Sequence, residues 1–278
     1  MIKKMTVQDV LAYIEKNLEN DISIDDIVKI SGYGRRYIQY IFKYYVKMPI
    51  GMYIRKRRIT RGSILLRLTK MSVIEISIKL GFDSQQSFCR EFKKTTGYTP
   101  LQYRKSLHWD LTPLKSSFQF TPRLSTDMPR LCTLPAGKIT GDEYHFDVPL
   151  LEDSCWQHTR WLAINRYLTR DGADLWVLND YATNEKSLQR LKVFNAMGRP
   201  GDNPDCRDLY FCYPGGLYAH FQFDCTRDEY PAYSAFIYQH VLASYGFKRR
   251  DGYDIEIFSA VDLAKGILHC EYYVPVAL

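Results

Sequence analysis

Arg36, Gln39, Tyr40 and Lys43 recur as Gln86, Cys89, Arg90 and Lys93, with the same spacing, fifty residues later. At about 100° per residue, each set falls on one side of a helix. Ile38, Ile41 and Phe42 occupy the other side of the first helix, and Phe88 and Phe92 that of the second. Each helix therefore pairs an apolar stripe with a polar ridge, and Gln85 extends the second ridge at its N-terminal end. Such ridges suit the base edges of the DNA major groove. Arg grips guanine through two donors, Gln grips adenine, and Lys meets phosphate.

The elements that must hold these ridges are themselves duplicated. Ser23-Ile24-Asp25-Asp26-Ile27 followed by Gly32-Tyr33 is echoed by Ser72-Val73-Ile74-Glu75-Ile76 followed by Gly81-Phe82. Each copy reads as a short helix, a glycine turn and a second helix, which is the helix-turn-helix arrangement. Asp83 or Ser84 is suited to N-cap the second ridge helix, whereas Gly34 is a poorer cap for the first. Between the copies, Ile50–Leu68 reads as one continuous helix, ~28 Å long at 1.5 Å per residue. That length approaches the ~34 Å turn of DNA that separates successive major-groove faces. One chain thus carries what a dimer of single units would supply. Arg55, Lys56, Arg57, Arg58 and Arg61 on the connecting helix, with Lys43 and Lys93, are expected to contact phosphates.

Charge supports a polyanion partner for this half. Residues 1–106 hold 21 Lys and Arg against nine Asp and Glu, while residues 107–278 hold 17 against 22. The seven cysteines include no C-x-x-C pair and no scaffold-like spacing, so neither disulfides nor a metal site is expected. No cofactor-binding motif is present. The first residues, Met1-Ile2-Lys3-Lys4-Met5, precede no apolar run of the kind a secretory signal needs, and no stretch is long and apolar enough to span a bilayer. The expectation is a cytoplasmic protein resident on the nucleoid.

Residues 7–104 resemble the AraC/XylS family of bacterial transcription regulators. The resemblance is carried by Ser31-Gly32-Tyr33, Gln39, Phe42-Lys43, Ile54-Arg55, Arg58 and Ile76-Ser77, then by Gly81-Phe82-Asp83-Ser84-Gln85-Gln86-Ser87-Phe88. Phe92-Lys93-Lys94, Gly97-Tyr98-Thr99-Pro100 and Tyr103-Arg104 complete it. It implies base reading by Arg36, Gln39, Gln85, Gln86 and Arg90, with Tyr40 on the same ridge. It also implies monomeric binding to double-stranded promoter DNA, activation of stress or drug-response promoters, and RNA polymerase as a partner. The chain departs from the family pattern at Arg36 and Tyr40, where Trp and Arg are usual, and at Lys47, where Gly is usual. Tyr40 lacks the fork with which Arg holds guanine, so the first half-site is expected to differ in sequence.

The remaining half reads as a separate α+β domain, giving a multidomain chain: an all-α domain over 1–107, a proline-rich linker over 108–129, and the second domain over 130–278. Strands are expected near 138–146, 175–178, 208–213, 217–223, 255–258 and 267–274, with helices near 154–169 and 229–243. The order strand-helix-strands, repeated, has an internal pseudo-two-fold character. Alternation along 267–276 puts His269, Glu271 and Tyr273 on one face. A carboxylate among aromatic rings suits a cation, and Trp156, Trp161, Trp176, Tyr144 and Phe146 are further wall candidates. Gly216-Leu217-Tyr218-Ala219-His220-Phe221, Tyr245-Gly246-Phe247, Ile255-Glu256 and Cys270-Glu271-Tyr272-Tyr273-Val274-Pro275-Val276 resemble the gyrase-inhibitor-like effector-binding superfamily. That resemblance implies a cleft for a bulky, amphipathic or cationic small molecule. Two other roles stay open for this half, a protein-partner module or a small-molecule hydrolase. No nucleophile-elbow or P-loop spacing supports an enzyme.

Overall fold

A computed structural model describes residues 2–118, 120, 128–149, 156–184, 187, 190–201, 209–262 and 265–278. The chain divides into two compact units. The first comprises residues 1–67, 71–106 and 113–123, and the second residues 68–70, 107–112 and 124–278.

The first unit is all helical. After α1 (Ile2–Lys16), α2 (Ile24–Ser31) opens with Ser23, whose side chain accepts from Asp26 N while the Asp26 carboxylate accepts from Ser23 N. That reciprocal cap satisfies two backbone donors that a helix start leaves unpaired. Gly32, at φ +67°, closes α2 in the left-handed region and turns the chain into α3 (Arg35–Val46). The second copy repeats the plan. Ser72 and Glu75 cap α5 (Val73–Lys79), Gly81 at φ +62° makes the turn, and Ser84 caps α6 (Gln85–Thr96) by accepting from Ser87 N. Between them α4 (Ile50–Leu68) runs unbroken over the span expected from sequence, and α7 (Pro100–Lys105) ends the repeat.

Because α4 serves both copies, it is buried on several sides. Ile50 and Tyr53 join the core formed by α1, α2 and α3, with Tyr53 edge-on to Phe42. Further along, Gly62 lies where a β-carbon would meet Phe88 at 3.0 Å and Leu80 at 3.2 Å. The close approach of the second copy thus explains a glycine that helix propensity disfavours.

The stretch read as a linker is not a free tether. His108–Asp110 forms a short strand, β1, paired with β8 of the second unit, and Pro113–Phe118 belongs to the first unit. There Lys115 exchanges hydrogen bonds with Thr60, Phe118 N donates to the Tyr53 hydroxyl, and Phe118 and Phe120 pack on the first copy's core. Prolines exclude helix here, but an extended segment still places phenylalanines against a core.

The second unit is built on an antiparallel sheet. Its strands are β1, β2 (Arg130–Leu134), β3 (Gly137–Pro149), β4 (Leu175–Thr183), β5 (Arg190–Pro200), β6 (Leu209–Tyr213), β7 (Gly216–Cys225), β8 (Lys248–Arg250), β9 (Asp254–Asp262) and β10 (Ile267–Ala277). Helix α8 (Trp156–Asp171) precedes β4. Helix α9 (Tyr230–Phe236) follows β7 and continues through a π-helical turn (Ile237–Val241) into α10 (Leu242–Ser244). The strands lie in the order β1-β8-β10-β9-β4-β5-β3-β6, and β2 pairs with β7, which itself pairs with β10. Four strands, β1, β2, β5 and β8, fall outside the sequence expectation; residues 154–155 of the expected first helix lie outside the described residues.

Under the helices sits a buried polar cluster. Arg160 of α8 and Glu256 of β9 are both essentially inaccessible and form an ion pair, and the Tyr230 hydroxyl donates to the same carboxylate. The Arg160 guanidinium also lies 5.0 Å from the Tyr230 ring centroid and 5.7 Å from that of Phe258. Burial raises the Glu256 pKa, and Arg160 opposes the rise. Beside it, buried Asp254 accepts hydrogen bonds from Arg249 and from the hydroxyls of Tyr272 and Tyr238.

Candidate nucleic-acid interface and ligand face

Both polar ridges face solvent. On α3, Arg36, Gln39, Tyr40 and Lys43 are exposed, while Ile38, Ile41, Phe42 and Val46 are buried. On α6, Gln85, Gln86, Arg90 and Lys93 are exposed and Cys89 is half-buried, opposite buried Phe88, Phe92 and Thr96. The aromatic chain Phe88, Phe92 and Tyr103, with successive centroids 5.5 and 5.3 Å apart, fixes the rotation of α6 about its axis. At the start of α3, Arg35 pairs with Asp25 of α2 at 2.8 Å, which ties the two helices of the first copy together.

The basic run on α4 divides between surface and structure. Arg55 is exposed, and it shares with Arg90 an open polar depression of about 360 Å³ between the two copies. Arg58, which also lines that depression, has three backbone partners. Its Nε donates to Leu18 O at 3.0 Å, Nη1 to Gly81 O at 3.0 Å and Nη2 to Asn20 O at 2.7 Å. It thereby binds the loop before α2 to the turn of the second copy. Arg57 is buried against Glu15, donating from Nε and Nη2 at 2.8 Å each, and also donates to Lys115 O. Arg61 is half-buried in the field of Glu19 and Glu15, and loss of solvent lowers its pKa. Consecutive residues spread around a helix, so a run of cations cannot all face one partner. Of the expected phosphate set, Lys43, Arg55 and Lys93 are exposed, Lys56, Arg58 and Arg61 are half-buried, and Arg57 is buried.

The second unit gathers another group. In an antiparallel sheet, directly paired residues share a face. Trp176 pairs with Ile257, Ile257 with Glu271, and Glu271 with Gln222, placing all four in one row across β4, β9, β10 and β7. In the adjacent row Tyr273 lies between Ile255 and His220. Trp176 stacks on Tyr213 with centroids 6.0 Å apart, and Tyr273 stacks on His220 at 4.3 Å with ring planes 8° apart. The Tyr273 hydroxyl donates to Glu271 Oε2 at 2.5 Å, and His220 Nε2 lies 3.1 Å from the same oxygen. Burial and the bond to Glu271 raise the Tyr273 pKa, whereas burial depresses that of His220 despite the nearby carboxylate.

Other expected wall residues do not join this face. Tyr144 pairs with Asn195, and Asp142, on the same side of β3, accepts from Tyr167 of α8 at 2.6 Å. Tyr144 and, two residues on, Phe146 therefore lie on the helix-covered face. Trp161 is 2% exposed, packed between Tyr230 and Phe258 as core. Trp156 begins α8, but its side chain lies outside the described residues. His220, Gln222, Tyr213 and Ile257 went unnoticed in the sequence because only strand register brings them beside Glu271.

Residues 27–106 match a family described as helix-turn-helix domain, and residues 177–277 match the GyrI-like small molecule binding domain. The F1 operon positive regulatory protein of Yersinia pestis is 37% identical over 99% of this chain and 89% of its own length. The chain belongs to the AraC/XylS family of transcription regulators and carries a C-terminal GyrI-like domain. Right origin-binding protein of Escherichia coli K12 is 27% identical, with 97% of each chain covered. The transcriptional activator AarP of Providencia stuartii is 45% identical over 36% of this chain and 74% of its own. These names are those of DNA-binding and regulatory proteins. Among the described residues, no helix is long and apolar enough to cross a membrane.

Proposed function

We propose that the regulator binds promoter DNA as a monomer, laying α3 and α6 into successive major-groove segments on one side of the duplex. Arg36, Gln39, Tyr40, Gln85, Gln86 and Arg90 read bases, and Lys43, Arg55 and Lys93 hold phosphates. The observation that carries this reading is the pair of equivalent, solvent-facing polar ridges joined by a single continuous helix. Bound DNA places the regulator beside RNA polymerase, where it activates stress or drug-response promoters.

The partly exposed sheet face around Glu271 is the effector site in this reading, and its occupant is an amphipathic cation. Ring faces attract a cation and the carboxylate completes its charge. The sheet order supports an internal two-fold: β3-α8-β4-β5 and β7-α9-β9-β10 have the same plan, and β4 pairs with β9 where they meet.

Titration with tetraphenylphosphonium, a lipophilic cation, tests the effector half. Glu271→Gln is expected to weaken binding ~10-fold, the ~1.4 kcal/mol of a partly exposed charge pair. Affinity is also expected to fall as pH drops below the usual histidine range. His220, its pKa depressed, is neutral at pH 7 and on protonation becomes a rival cation 3.1 Å from Glu271. Arg130 on β2 and His269 on β10 add to the positive field there. Equal affinity in the Glu271→Gln protein and the unsubstituted one would remove the cation reading.

A further inference from the structure

Lys47 closes α3 in the left-handed region at φ +61°, and it is the only non-glycine with a positive φ among the described residues. Its counterpart in the second copy is Gly97, which closes α6 at φ +80° with open space where a side chain would begin. Glycine adopts this conformation freely, whereas a β-carbon strains it. Strain of this kind marks positions where a side chain does something that the relaxed residue would not.

What Lys47 does is visible at its far end. Its Nζ sits 5.0 Å from the ring centroid of Tyr44, a tyrosine that is 59% exposed on the same side of α3 as the polar ridge. Superposing the copies by their fifty-residue offset sets Lys43 on Lys93, Tyr44 on Lys94, and Lys47 on Gly97. The second copy has its extra cation on the helix and glycine at the cap. The first has an aromatic ring on the helix and the cation at the cap, reaching back over that ring. The stack returns the displaced charge to the ridge, and the ring preorganises a long, flexible side chain.

We propose that Tyr44 and Lys47 form a DNA-backbone clamp at the C-terminal end of α3, giving the first copy a phosphate contact equivalent to the one that exposed Lys94 is placed to offer in the second. The proposal rests on the two-ridge reading of DNA binding. It adds two contact residues to the first half-site and gives the strained cap a purpose. Tyr44 contributes a hydroxyl that also suits a phosphate oxygen.

The test uses the full chain and a fixed duplex of about 40 base pairs with no selected site, with affinity followed from about 50 to 200 mM NaCl. Lys47→Gly and Lys47→Gln are both expected to reduce the slope of log affinity against log salt by about 1, with affinity ~5-fold to 10-fold lower at the low-salt end. Lys47→Arg is expected to keep the slope. Lys47→Gly is expected to raise the melting temperature by a few degrees while it weakens binding, so that a folding defect cannot explain the loss. An unchanged slope in the Gly and Gln variants, with the unsubstituted chain binding normally, overturns the clamp and leaves the two-ridge reading standing. Absence of salt-dependent binding by the unsubstituted chain overturns both.

Discussion

Alanine at Arg90 is expected to weaken binding to a selected duplex by ~1–3 kcal/mol and to relax sequence preference at one position of one half-site. Gln86→Ala is expected to act similarly at a neighbouring position. Both side chains are exposed and stand opposite the buried Phe88–Phe92 stripe, so truncation removes contact atoms and leaves the core intact. Binding to unselected DNA is expected to change little for Gln86→Ala, which removes no charge, and to lose about one phosphate-equivalent of salt slope at most for Arg90→Ala. Selection from random duplexes followed by competition with single-base variants measures both effects. Arg58→Ala provides the contrast. Because its guanidinium serves three carbonyl oxygens, the substitution is expected to lower stability without altering base preference. A change of base preference in Arg58→Ala, with none in Gln86→Ala or Arg90→Ala, would reverse the assignment of roles.

The second large effect concerns the sheet beneath the proposed effector face. Glu256→Ala is expected to destabilise the C-terminal unit by ~3–5 kcal/mol, because it strands the Arg160 charge in an inaccessible site. The Tyr230 hydroxyl loses its acceptor in the same step. Arg160→Met, Glu256→Leu and Tyr230→Phe together remove the ion pair and the hydroxyl that bonds to it, while Asn179, which also bonds to the Glu256 carboxylate, keeps Asp254 O as an acceptor; the triple variant is expected to come within ~1 kcal/mol of the unsubstituted protein, or above it. Denaturant unfolding of the three proteins distinguishes the cases. A single variant costing under ~1 kcal/mol, or a triple variant as damaged as the single, would show that the pair is not held as described. The cluster adjoins the proposed effector face: Glu256 and Ile257 are consecutive on β9, and Ile257 lies in the row with Trp176 and Glu271.

The helical unit was legible in the sequence because its signals are local. The cap at Ser84, the glycine turns, and the apolar stripes at helical spacing are all read within a dozen residues, whereas the caps at Ser23 and Ser72 emerge from the structure. Local signals say less about Arg58 and Arg61. A run of cations on one helix reads as a single surface, yet adjacent residues point in different directions: Arg58 donates to backbone carbonyls of neighbouring elements, and Arg61 is half-buried. In the second unit, alternation within one strand correctly placed Glu271 and Tyr273 together. Whether Tyr144 shared their face depended on register across β3, β5, β4, β9 and β10, and no single strand contains that information. Strand β5 escaped because Asn195 and Gly198 interrupt its apolar pattern, although Asn195 is buried and donates to Asn179. The segment around Phe118 and Phe120 escaped because prolines announce where a helix stops and say nothing about packing.

One chain presenting two equivalent ridges to one duplex is best tested by methylation interference on a selected site, combined with the mass of the complex. The account predicts a single chain per duplex and two interfering major-groove segments about 10 base pairs apart on the same side of the helix. Interference confined to one segment, or two chains required for two segments, would contradict it.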